Sequence, residues 1–347
     1  MPDLFAPCFT ATGVGTLPLV DPARAVAEVT ARLTQMPYWP QLPQRDARED
    51  MNLQYAPALR PLVAADRQER MLRAHPGLAR EEALAGFYER LLTGPLADFG
   101  LLPADAAGFF AFLEAIGAAG PGAFPWIKGH VTGPLTLAAS VLGGDGKALL
   151  FDDELAEALA KGLGAAAAAQ VEQLAPLGRP VLMFFDEPFL SGYGSAFMPL
   201  SRQQAINLLG LALEEARARC TAVFGVHCCG NTDWSLLVAA GFDVINLDSA
   251  GFGRHLLLYP EALKDLYARG GAVPASGFTG RETAAGLWAG LKALLEDLAG
   301  LGFDRQVIAR QALITPACGM GSMREDQALA ILDLTRGVSE LARAEMR

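Results

Sequence analysis

The sequence predicts an α/β protein, a TIM-type (β/α)8 barrel with a helical insertion, and three observations lead to it. Apolar runs of strand length alternate with longer helical patterns, as successive βα units require. Polar residues gather at the C-terminal ends of those runs. The 347 residues, with 37 Gly and 22 Pro scattered as punctuation and no low-complexity linker or repeat, suit one large barrel, so residues 1–347 read as a single domain.

Taken in order, strands are expected at residues 9–13, 126–132, 181–185, 222–227, 244–247, 273–276 and 312–315, with an eighth near 38–41. Each is a short apolar run closed by Gly, Pro or a polar residue. Helices are expected over 21–33, 152–174, 201–219, 282–298 and 324–345, most starting at an acidic residue or Ser and continuing in alanine-rich bodies. Residues 61–120 read as helical hairpins inserted over one end of the sheet. Residues 36–43, Met-Pro-Tyr-Trp-Pro-Gln-Leu-Pro, pack two aromatics among prolines. They read first as a Pro-stiffened strand end with buried rings, and second as a wall of the active-site mouth or a corrinoid-docking surface.

Composition excludes several classes of partner. With 28 basic and 38 acidic side chains the net charge is −10, which disfavours nucleic acid. No stretch of about 20 apolar residues offers a membrane span. The first residues lack a basic segment followed by an apolar run, so the expected compartment is the cytoplasm.

Five cysteines, two of them adjacent, fit a disulfide framework poorly and free or metal-bound thiolates better. His227 and Cys229 stand two apart where a strand ends, so alternation sends both side chains to the same side. Imidazole with thiolate favours zinc. Barrel closure would bring Cys318, at the end of the last strand, and Asp248, at the end of the strand after His227, to complete the set. Asp248 reads equally well as an acceptor that orients His227. Cys228 faces the other way, and Cys8 and Cys220 sit in apolar contexts typical of small buried residues. A site with two thiolates has blunted Lewis acidity, so activation of an incoming thiol fits better than activation of water, and thiol alkylation follows.

The ordered motifs Gly13-Val-Gly-Thr16, Val131-Thr-Gly-Pro134, Asp186-Glu-Pro188, His227-x-Cys229, Asp248 and Pro316-Ala-Cys318-Gly319 resemble the C-terminal catalytic barrel of cobalamin-independent methionine synthase and related zinc methyltransferases that use methylated corrinoids. The resemblance implies a zinc-dependent S-methyltransferase of methionine biosynthesis, with His227, Cys229 and Cys318 as catalytic zinc ligands and Asp248 where that family has a glutamate ligand. It implies that Val14, Gly15 and Thr16 hold the carboxylate of an amino-acid thiol such as homocysteine and that Asp186 receives its α-ammonium. One barrel leaves no room for the duplicated N-terminal barrel of the folate-using members, so a methylated corrinoid protein is the expected donor. A second family glutamate for the ammonium has no placed counterpart in residues 44–50. The family's later histidine is replaced around Ser276-Gly-Phe-Thr-Gly280.

Two other readings stand beside this one. A metal-free decarboxylase of the uroporphyrinogen type would need arginines near the first strand, where Arg45 and Arg48 are the nearest. A non-catalytic corrinoid-binding partner would keep the site as a relic.

Overall fold

A computed structural model describes residues 5–195, 198–275 and 282–346. In chain order its strands are β1 Thr10–Ala11, β2 Val63–Asp66, β3 Met71–Ala74, β4 Ile127–Thr132, β5 Val141–Leu142, β6 Val181–Asp186, β7 Val223–Cys228, β8 Val244–Leu247, β9 Val273–Ala275 and β10 Ala312–Ile314. The architecture is mixed α/β with parallel sheets. One runs β4-β6-β7-β8 and another β1-β10-β9. A parallel bridge, Val244 with Ala272, joins them at one side.

The expected strand near residue 38 is present only as two parallel bridges, Tyr38 with Lys128 and Thr16 with Gln41. Its prolines explain this: Pro37, Pro40 and Pro43 cannot donate to a ladder. The segment still exchanges backbone bonds on both sides, since Lys128 donates to Pro37 and Gln41 to Gly15, at 2.9 and 3.1 Å. Tyr38 and Trp39 are fully buried, which removes this segment as a docking surface for a corrinoid.

The helices begin where the sequence caps them. Asp21, Asp152 and Thr283 accept from backbone N–H groups of the first turns of Pro22–Arg32, Asp153–Leu174 and Ala284–Gly300, and Ser201 forms a capping box with Gln204 at the start of Arg202–Arg219. The alanine run of Asp153–Leu174 lets it press closely on its neighbours. A Cβ on Gly164 would meet the Ala212 carbonyl at 2.3 Å, and one on Gly129 would strike the Gln170 side chain. Helices Arg80–Thr93 and Ala107–Ala118 lie within the segment expected to be helical hairpins. That segment opens differently, with an antiparallel β2–β3 hairpin whose β3 pairs with β5. The Asp66 carboxylate accepts from the Gln68 and Glu69 N–H groups, both at 3.1 Å. This local turn overrides the helix propensity of Arg67-Gln-Glu-Arg70.

Side chains sort by strand face. Val181, Met183 and Phe185 of β6 and Phe224, Val226 and Cys228 of β7 join the large core beneath the helices. Leu182 and Phe184, with Val223, Val244 and Leu313, form a second cluster drawn from four parallel strands. Phe184 fits because residue 225 is Gly, where a Cβ would lie 1.9 Å from the ring.

Candidate metal centre and substrate site

The carboxyl ends of the parallel strands carry the polar groups. β7 ends in His227-Cys228, with Cys229 directly after it, and the chain reaches Cys318 four residues beyond β10. One ligand atom from each of His227, Cys229 and Cys318 lies within 4.8 Å of the other two. β7 and β10 are separated by β8 and β9, so in a flat sheet they would stand about 14 Å apart. The sheet must curve to bring them together. A second crossing agrees: the buried Asn246 amide of β8 donates to the Thr315 hydroxyl at 3.1 Å, passing over β9.

His227 is 2% exposed, and neither ring nitrogen has a hydrogen-bonded partner. One ring nitrogen lies within 4.8 Å of the Cys229 sulfur. The Cys229 thiol is held well below the usual thiol range, first by the Cys318 thiol that hydrogen-bonds it and then by His227. The same bond pushes Cys318 up. Buried, unsatisfied imidazole nitrogens demand an explanation, and a cation held by one of them and by two sulfurs accounts for that nitrogen. Tetrahedral zinc with bonds of about 2.3 Å to sulfur would set its ligand sulfurs about 3.8 Å apart, so a small inward movement suffices. The donor set fits zinc. Cys318 is exposed and Cys229 half-buried, leaving the sulfur side reachable from solvent.

Asp248 does not join this group. Its carboxylate accepts from the Ala250 and Gly251 N–H groups at 3.1 and 3.0 Å, capping the short helix Ser249–Phe252. An aspartate just before a turn of helix is claimed by the backbone N–H groups it can reach. Among the other cysteines, Cys228 is buried in the helix-facing core, and burial pushes its thiol up to about 12. Cys8, expected to be buried, is exposed.

The expected substrate residues lie nearby in structural terms. Asp186 ends β6 in register with His227. Its Oδ1 has no partner, and burial pushes its carboxyl up to about 6 against the pull of Lys128. Lys128, fully buried on β4, donates to the Val14 carbonyl at 2.6 Å and lies 4.5 Å over the Phe184 ring. Burial brings its ammonium down to about 8, opposed by Asp186. Gly15 faces the His130 ring so closely that a Cβ there would lie 2.9 Å from it. The Thr16 hydroxyl accepts from the Gly321 N–H at 3.1 Å, and the Thr16 carbonyl accepts from Met320 at 3.0 Å. Thr16 thus ties the first strand to the loop that carries Cys318. Gly319 is part of that fit, since a Cβ there would strike the Thr16 hydroxyl.

Glu187 supports a neighbouring helix. Fully buried, it accepts from the Leu135 and Thr136 N–H groups, both at 2.8 Å, and from the Thr136 hydroxyl at 2.6 Å, at the start of Pro134–Ser140. Lys128 and His130 went unassigned in the sequence. A charged residue inside an otherwise apolar strand was the available signal. The replaced segment at residues 276–280 lies outside the described residues.

No family model matches the chain, and no curated protein matches it. Among solved structures it is similar to a B12-independent methionine synthase from Shewanella sp. W3-18-1 in complex with selenomethionine. The identity is 20% and the TM-score 0.44, over 63% of this chain and 62% of that one. The chain thus spans under two thirds of that structure's length. At such identity the chemistry of the site has to be judged from its own atoms.

Proposed function

We propose that the protein is a zinc-dependent S-methyltransferase that moves a methyl group, from a methylated corrinoid protein, to a thiol such as homocysteine to give methionine. The observation that carries this reading is the meeting of His227, Cys229 and Cys318 at the ends of strands that are not neighbours. Those three residues would hold the zinc ion and act as the catalytic ligands. Bound there, zinc supplies acidification of the acceptor thiol, whose free pKa is about 8.5. Asp186, with an unpartnered oxygen, receives the α-ammonium, and Val14, Gly15 and Thr16 form the carboxylate side. The acceptor thiol releases its proton to solvent, and the thiolate lone pair forms the new S–C bond while the donor's bond to methyl breaks, its electron pair staying with the donor. Positioning supplies much of the rate.

The parallel bridges through Tyr38 and Gln41 and between β8 and β9 support closure of eight strands into a (β/α)8 barrel. On this reading the chain is a single domain whose residues 61–120 form an insertion, a β-hairpin followed by helices. No described helix is long and apolar enough to cross a membrane, and a cytoplasmic setting suits free thiols. A decarboxylase gains little support, because Arg45 is paired with Glu49 and Arg48 with Asp46. The test is methyl transfer from methylcobalamin or a methylated corrinoid protein to homocysteine. Zinc-dependent methionine formation is expected. A zinc-loaded protein that methylates no thiol from either donor contradicts the proposal.

A further inference from the structure

His130 carries more anchoring than a space-filling residue needs. Its backbone N–H donates to the Gln170 side-chain carbonyl at 3.1 Å, and its backbone carbonyl accepts from the Gln170 amide at 3.0 Å and the Tyr55 hydroxyl at 2.9 Å. Its ring stacks on Trp39 with centroids 4.0 Å apart and planes 15° from parallel. The indole is itself fixed by a 2.9 Å bond from its N–H to Gln170. On Gly15 even a methyl group would come within 2.9 Å of the imidazole Cε1 and Nε2, so the glycine is required for this approach. Stack and backbone contact together fix the ring plane.

Yet the polar edge of this ring is unused. His130 is 2% exposed, and neither nitrogen has a hydrogen-bond partner. A buried N–H left unmade costs about 1–3 kcal/mol. Such groups persist where a ligand or water satisfies them. Burial, reinforced by the Lys128 charge two residues earlier, holds the imidazole well below its usual pKa, so it is neutral and offers one N–H and one lone pair. The Lys128 charge acts directly on this ring, and a cation beside the imidazole favours an anionic ligand group there.

We propose that His130 is a substrate-binding residue that hydrogen-bonds the α-carboxylate of the amino-acid thiol beside Gly15 and thereby selects acceptors bearing that group. This rests on the methyltransferase reading above and adds a specificity determinant to it. The test is calorimetric binding of L-methionine and of 3-(methylthio)propylamine, which differs by lacking the carboxylate, to zinc-loaded wild type, His130→Phe and His130→Gln. Phe keeps the stack and loses the N–H; Gln restores a donor. Wild type should prefer L-methionine, and His130→Phe should lose about 10- to 100-fold in affinity for it while binding the amine unchanged. His130→Gln should recover part of the loss. Equal weakening of both ligands in His130→Phe, or preference retained in full, overturns the role of His130 and leaves the amino-acid reading standing. Wild type that binds neither ligand overturns both. Thermal unfolding of each variant separates misfolding from loss of the contact.

Discussion

Replacing Thr16 by Val tests the link between the first strand and the proposed metal centre. The Thr16 hydroxyl is the acceptor for the Gly321 N–H, and Gly321 is buried in the loop that begins at Cys318. Val keeps the shape and removes the acceptor, leaving a buried N–H unsatisfied at a cost of about 1–3 kcal/mol. The loop does not depend on this bond alone, because the Met320 N–H still reaches the Thr16 carbonyl. The loss should therefore appear as a loosened Cys318 rather than an unfolded protein. Converted at about 1.4 kcal/mol per factor of ten, it predicts zinc binding weaker by about 10- to 100-fold, the range expected when a group supporting a ligand is removed. Competition for zinc against a chromophoric chelator measures this directly, with Thr16→Ser as the control that keeps the hydroxyl. Zinc affinity unchanged in Thr16→Val, or lowered equally in Thr16→Ser, would refute the reasoning.

Other outcomes follow from the same contacts. Burial raises the Glu187 carboxyl to about 7, so the stability it contributes is complete below its unfolded value near 4.5 and is lost as pH rises through about 7. In the metal-free protein, denaturant unfolding should show stability falling by at most a few kcal/mol between pH 5 and 8. Glu187→Gln should flatten that fall, and an unchanged pH slope would count against it. Asp248→Ala should cost about 1 kcal/mol through the lost cap and leave zinc stoichiometry intact, as should Cys228→Ala. Loss of zinc in either variant would return that residue to the ligand set.

Much of this was legible in the sequence, for reasons that can be stated. Seven of the strand runs were visible because parallel strands buried on both faces read as continuous apolar segments. His227 and Cys229 were visible because their spacing matches the pleat. Cys318 needed a fold to bring it near, and its sequence position after the last apolar run gave that hint. The hairpin at residues 63–74 was hidden because its side chains favour helix and a single Asp66 turn decides otherwise. Asp248 stayed open between ligand and orienting acceptor because an aspartate at a strand end serves several roles equally well in sequence, and only the backbone N–H groups beside it show that it caps a helix. Lys128 stood out only as a charge within an apolar strand, and His130 was missed because nothing local marks a buried imidazole as unpartnered; that property belongs to the assembled neighbours.

The central claim is that strand ends distant in sequence form one zinc site of two sulfurs and one imidazole. X-ray absorption at the zinc edge on the purified protein measures it most directly. The predicted result is one zinc per chain with two sulfur neighbours at about 2.3 Å and an imidazole nitrogen, reduced to one sulfur in Cys318→Ser. A shell of oxygen and nitrogen alone, or a sulfur count untouched by that substitution, would contradict the account.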